Sequence, residues 1–275
     1  MKKLFSLLLA VALLAGVTAC GSSSNEDDKK IIVGASSSPH AEILEACKDQ
    51  LKKAGYELEI KEFDDYVVPN DSLESGELDA NYFQHLPYLK QFNEDKGTHL
   101  TSVAAIHFEP LGIYSNEATS KNDEFGVNDV KEGAKIAVPD DATNEARALQ
   151  LLAAHGVITL KEGVGLKATK TDITENPKNV EIVEIEAANI PASLSDLDFA
   201  VINGNYALSG KVTENVITTE SKDSEGAKEF ANVLAVKKGN EKTKKTKALI
   251  KALTSKETKA FIEEKFGDLV IPVFE

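Results

Sequence analysis

The sequence contains no tryptophan, one methionine and two cysteines in 275 residues. Cysteines at 20 and 47 cannot supply a disulfide framework, so the chain has to fold by packing. Positive charge is also scarce: 31 Lys and Arg face 45 Asp and Glu, a formal net charge of −14 that argues against a nucleic-acid partner. No GxSxG elbow, Walker A loop, GxGxxG turn, HExxH or CxxC occurs, and His40, His85, His99, His107 and His155 are dispersed along the chain. Neither enzyme activity, nor a cofactor, nor a metal is expected on that ground. There is no internal repeat, and the apolar run at residues 4–15 is short for a membrane span.

That run belongs to MKKLFSLLLAVALLAGVTAC, which starts with Lys2 and Lys3, continues through an apolar stretch and ends in small residues before a cysteine, the pattern of an export signal. VTAC resembles the bacterial lipobox, which makes residues 1–19 a signal peptide and Cys20 the lipidated anchor. GSSSNEDDKK then reads as a flexible tether over residues 20–30, too small and polar to pack. Cys47 lies in AEILEACKDQL among the apolar positions Ile43, Leu44 and Leu51, and is expected to be a packing thiol.

KIIVGASSSPHAEILEACKDQLKKAGYELEIKEF reads as strand, helix and strand, with Ser38 as N-cap, Pro39 at the first helical position and Gly55 as the stop. DSLESGELDANYF adds a short helix and a strand, and LPYLKQFNEDKG a helix between Pro87 and Gly97. TSVAAIHFEPLGIYS can pass from one domain to the next, after which KIAVPDDATNEARALQLLAAHG restarts the alternation. EIVEIEA, DFAVINGNYAL and ANVLAVKKG read as further strands, and helices around KALIKAL and ETKAFIEEKFG close the chain. The alternation predicts an α/β protein of two lobes, each a parallel sheet covered by helices, with a ligand cleft between them.

In such sheets the ligand-facing positions are the loops at the carboxyl ends of strands: residues 36–38, the 82–88 cluster, residues 140–147 and residues 203–205. Arg147 is a cation near the first turn of a helix, opposed to the positive end of its dipole. It pairs either with Asp140, Asp141 or Glu145 at the surface, or with a bound carboxylate. Asn203 and Asn205 flank Gly204, which a hairpin turn alone would explain. Asn232, at the start of a strand, is less readily explained as a turn residue. In ANYFQHLPYL, an aromatic-dense stretch in a chain with 6% aromatic residues, strand alternation sends Tyr82 into its lobe. Phe83, His85 and Tyr88 are left as core filling or as a wall for an apolar or thioether side chain.

VGASSSPHAEIL, FDDYVVPN, LDANYFQHLPYL, FEPLGIYS, IAVPDDATNEARALQLL, GVGLKAT, ENPKNVEIVEIEA, AVINGNYA and ANVLAV, in that order, resemble the methionine-binding lipoproteins of bacterial ABC importers, the NlpA or MetQ family. The resemblance covers essentially the whole mature chain and implies a two-lobed type 2 periplasmic-binding-protein fold. Residues 31–112 with 230–275 would form one lobe and residues 113–229 the other. It implies a monomeric, lipid-anchored receptor on the extracytoplasmic face of the cell membrane that hands L-methionine to a permease and its ATPase. D-methionine, a methionine dipeptide or another apolar amino acid are ligand alternatives, and surface adhesion is an alternative of a different class. By motif matching, Arg147 pairs with the ligand carboxylate, with Asn144 nearby, and Asn203 and Asn232 bond the ligand's polar groups. Glu109 meets the ammonium, while Tyr66, Phe83, His85 and Tyr88 line the side-chain pocket. One departure stands out: the chain reads KEFAN where many members read SPYAN, which puts Phe230 in the place of a tyrosine.

Overall fold

The computed structural model describes residues 29–117, 122, 124–222 and 229–275. The signal, Cys20 and most of the tether lie outside the described residues. Among the described residues no helix is long and apolar enough to cross a membrane.

The chain begins as the expected βαβ unit, with β1 (Lys30–Ser36) and β2 (Glu57–Phe63) parallel on either side of α1 (Glu42–Lys53). Ile43, Leu44, Cys47 and Leu51 recur at helical spacing and form the buried face of α1. Gly55 then takes a left-handed φ of 88°, which ends the helix at low steric cost. Burial pushes the Cys47 thiol up to about 11, as befits a packing residue. The expected cap at Ser38 does not form. The Ser38–Pro39 peptide is cis, Ser38 is extended, and residues 37–41 make a wide turn that leads into α1 from Ala41. His40, within that turn, is fully buried.

Next come α2 (Val68–Ser75), β3 (Ala80–His85), α3 (Leu86–Lys96) and β4 (Leu100–Phe108). The second lobe holds β5 (Gly112–Tyr114), β6 (Lys135–Pro139), α4 (Ala142–Ala154), β7 (Thr159–Leu160), β8 (Ile173–Glu175), β9 (Glu181–Ile185), β10 (Phe199–Ile202), α5 (Gly204–Ser209) and β11 (Val216–Thr219). The chain returns through β12 (Asn232–Lys237), α6 (Lys244–Leu253), α7 (Lys256–Phe266) and β13 (Ile271–Pro272). One sheet has the order β13-β4-β12-β3-β1-β2, the other β11-β5-β10-β6-β9, and β7 pairs with β8.

Neither large sheet is all-parallel, contrary to the sequence expectation: β12 runs against β3 and β4, and β5 runs against β10 and β11. The reason is the double crossing between lobes. Strands β3, β4 and β10 end at the cleft, whereas β5 and β12 begin there after crossing, so the entering strands must run the opposite way. DFAVINGNYAL is likewise not one strand: β10 stops at Ile202, Asn203 stands in extended conformation as the N-cap, and α5 follows. The hairpin turn considered for Asn203–Asn205 is therefore absent.

Each lobe has its own core. Tyr82, Ile31, Ile43 and Leu44 pack with Leu253 and Ile262 of the last two helices in the first, and Ile113, Ile136, Leu149 and Leu152 in the second. Burying each such side chain contributes ~1.5–3 kcal/mol before conformational entropy is counted. The cleft lies between the two lobes, at the strand ends.

Candidate functional site

The register of β12 puts Asn232 opposite His85 at the end of β3 and opposite His107 near the end of β4. From the other lobe, α4 projects Asn144 and Arg147 from its first turns, and the β10–α5 junction supplies Asn203, Gly204 and Asn205. These groups meet around one cavity with about 340 Å³ of atom-free space, lined also by Tyr66, Phe83, Gln84, Tyr88 and Glu109. All nine residues named from the sequence line this cavity. Residues 36–38, also selected by the strand-end rule, do not; the turn after β1 instead directs His40 behind it.

The aromatic side comes from the first lobe. Phe83, Tyr88 and Phe92 form a small cluster with Tyr66 against it, the Tyr66 ring centroid 5.8 Å from Phe83 and 5.7 Å from Tyr88. The Tyr66 hydroxyl donates to Asn205 Oδ1 across the cleft at 2.6 Å, and the Tyr88 hydroxyl donates to the Tyr66 carbonyl at 3.1 Å. Burial raises both phenol groups, so each keeps its proton and acts as a donor. His85 is more than a wall. Its Nδ1 caps α3 by accepting from the Tyr88 amide at 3.1 Å, which leaves Nε2–H to donate to Asn144 Oδ1 at 3.0 Å. Burial, helped by the nearby Arg147 charge, lowers His85 to about 3, so its imidazole is neutral.

The polar side is ordered by pairing. Arg147 makes none of the three surface pairs considered for it, with Asp140, Asp141 or Glu145. Its Nε and Nη2 grip the two oxygens of Glu220, Nε at 2.9 Å, and Nη2 also donates to the Glu109 carbonyl at 3.0 Å. The guanidinium carbon lies 4.3 Å from the Phe230 ring centroid. These bonds use Nε and Nη2, and Nη1 is the arm left for an anion. Asp141, the N-cap of α4, accepts from the Asn144 backbone and side chain, so Asn144 presents its oxygen to His85 and to Asn203 Nδ2, the latter at 2.9 Å. That fixes the Asn203 amide and leaves its buried Oδ1 without a partner among the described residues.

Glu109, on the first crossing between lobes, is buried and held above the usual carboxylate range by desolvation, against the pull of His40 and Arg147. Its Oε1 lies 2.6 Å from His107 Nε2 and 3.4 Å from His40 Nε2. A Cβ built on Gly204 would stand 2.8 Å from the Glu109 Oε2, so only glycine lets this carboxylate sit against the start of α5. Gly204→Ala is expected to displace Glu109 and weaken ligand binding by ~10-fold or more, the scale of one displaced charged hydrogen bond. Titration calorimetry checks it.

Sequence reasoning missed Glu220, Gln84, His40 and His107. Glu220 is 73 positions from Arg147, and no spacing rule links them. The histidines were dismissed because they are dispersed in sequence, yet His40, His107 and Glu109 converge in space. Phe230 was legible as the KEFAN departure, but its packing under Arg147 was not.

Two α/β lobes joined by double crossings, with a buried polar and aromatic cavity at the opposed strand ends, make this a substrate-binding protein of the type 2 periplasmic-binding-protein class. Residues 31–274 match the NlpA lipoprotein family, and the chain belongs to it. This is a family of binding lipoproteins, not of enzymes. The chain is 38% identical over 284 residues to the methionine-binding lipoprotein MetQ of Bacillus subtilis, spanning 100% of both. A solved lipoprotein structure from Ruminococcus gnavus is 54% identical, with a TM-score of 0.84 over 90% of this chain and 100% of that one. A nutrient-binding protein from Burkholderia cenocepacia, solved bound to methionine, is 40% identical, with a TM-score of 0.81 over 89% of this chain and 100% of that one.

Proposed function

We propose that this chain is the extracytoplasmic receptor of an ABC importer, which captures free L-methionine in the interlobe cavity and delivers it to a permease and its ATPase. The observation that carries the reading is the sorting of polar groups in the cavity. Glu109 and the unpartnered Asn203 Oδ1 are acceptors suited to an ammonium group, while Arg147 Nη1 is a donor suited to a carboxylate. Between them, Tyr66, Phe83 and Tyr88 offer ring edges to a thioether. The roles follow: Arg147 takes the carboxylate with Asn144 and Asn232 beside it, Glu109 and Asn203 take the ammonium, and Phe83, Tyr88, Tyr66 and His85 surround the side chain.

Residues 31–112 with 230–275 and residues 113–229 act as the two lobes, which hinge near Ile113 and Asn232. Cys20, lipidated, anchors a monomer to the outer side of the cell membrane, and residues 20–30 act as the tether. Native mass spectrometry of freshly purified protein tests the reading. One bound mass equal to methionine, exchangeable for added isotope-labelled L-methionine more readily than for isotope-labelled D-methionine or a dipeptide, is expected. A chain that never acquires an amino acid favours the adhesion alternative.

A further inference from the structure

His40 does not line the cavity, yet it touches two residues that do. It sits in the wide turn before α1, fully buried, its ring 4.7 Å from Tyr82 and 5.0 Å from His107 between centroids. Nε2 is 3.1 Å from Asn232 Oδ1 and 3.4 Å from Glu109 Oε1. Nδ1 has no hydrogen-bond partner among the described residues, although it is buried. A histidine kept only for packing is a poor choice here, because a buried unpaired nitrogen costs stability that an apolar side chain of similar size would not.

The proton positions follow from the neighbours. Tyr82, whose hydroxyl burial holds protonated, donates to His107 Nδ1, so His107 carries its own proton on Nε2 and donates it to Glu109 Oε1. His40 Nε2 faces the same carboxylate oxygen and the Asn232 oxygen, two acceptors, and therefore carries the proton while Nδ1 is bare. With its oxygen taken by His40, Asn232 must turn Nδ2, a donor, away from that contact and toward the cavity it lines. Glu109 has Oε1 occupied by two imidazoles and Oε2 set against Gly204.

We infer that His40 is a positioning residue: from behind the cavity it fixes the amide of Asn232 as a donor and steadies the Glu109 carboxylate, so setting which end of an amino acid each part of the cavity accepts. The inference rests on the reading of the cavity as an amino-acid site. Without His40 the Asn232 amide is free to rotate and present its oxygen, which repels a carboxylate, and Glu109 loses one of its two imidazole partners. His40→Leu removes the proton donor and the orphaned nitrogen together. His40→Gln keeps an N–H near the position of Nε2.

Two measurements test it. In the ligand-free protein, long-range proton–nitrogen NMR spectra are expected to show His40 as the neutral Nε2–H tautomer between pH 6 and 8; the Nδ1–H tautomer overturns the inference whatever the ligand is. Titration calorimetry then compares L-methionine with its amide and with the analogue lacking the amino group. His40→Leu is expected to bind methionine about tenfold or more weakly, with a Tm equal to or above that of the native protein and a blunted preference for methionine over both analogues. His40→Gln is expected to regain most of the affinity. Native-like affinity and preference in His40→Leu overturn the inference, as does a His40→Gln protein no better than His40→Leu. If the native protein binds no methionine while the tautomer is as expected, the functional reading of the cavity fails and the tautomer result stands separately.

Discussion

Arg147→Ala is expected to weaken methionine binding by on the order of 2–5 kcal/mol, ~30-fold to several thousand-fold, the range for loss of one partner in a desolvated charge pair. The Arg147 side chain is 4% exposed and the orientation of its guanidinium is over-determined. Glu220 holds Nε and Nη2, the Glu109 carbonyl takes a second bond from Nη2, and the Phe230 ring supports the face. A ligand carboxylate therefore meets an arm already placed, with little ordering left to do. Truncation also leaves Glu220 without its cation. Because Glu220 keeps 17% exposure, water relieves part of that cost, so folding suffers less than binding. Arg147→Ala combined with Glu220→Ala is expected to recover most of the lost stability in urea titrations and none of the lost affinity. Arg147→Lys retains the charge but not the fork, and is expected to fall between. Unchanged methionine affinity in Arg147→Ala would remove this residue from the site.

The second large effect concerns acid. His40 is lowered to about 4, and His85 and His107 to about 3, chiefly by burial, whereas in the unfolded chain each takes up a proton near pH 6.5. A lowered native value means that the unfolded state binds the proton first, so stability is full above about pH 7 and is lost as pH falls toward 4. Each imidazole contributes a slope of up to about 1.4 kcal/mol per pH unit. Glu109, Asp141 and Glu145 act in the opposite sense: burial raises all three, so the native state binds their protons first and regains part of the loss. The net expectation is a loss of stability as pH falls from 7 to 4.5, led by the three imidazoles. Urea midpoints across this range measure it. Stability that is flat or rises on acidification would contradict the burial of three neutral histidines.

What was legible in the sequence was local. Gly55 and Gly97 mark helix ends because a left-handed residue leaves a readable trace, and Arg147 stood out because its charge opposes its own helix dipole. The 82–88 cluster was readable from strand alternation and from Pro87. The illegible features depend on which distant segments meet. Glu220 reaches Arg147 only because β11 ends beside β5 at the first crossing, where the Glu220 amide donates to the Leu111 carbonyl and its carboxylate accepts from the Leu111 amide. His40 and His107 converge on Glu109 only because β12 inserts between β3 and β4 in reverse direction. Alternation of β and α elements cannot report that reversal, since the crossing strands carry the same apolar pattern as their parallel neighbours. Asn203 misled for a related reason: Asn-Gly-Asn serves a hairpin turn as well as a helix start, and the choice falls to the α5 packing.

The most direct test of the account is calorimetric titration of the mature protein with L-methionine, after unfolding, dialysis and refolding to remove any retained ligand. The expected result is tight binding of one methionine per chain, with competition by D-methionine, a methionine dipeptide and other apolar amino acids ranking below it. A correctly refolded protein that gives no heat with any form of methionine would contradict the account.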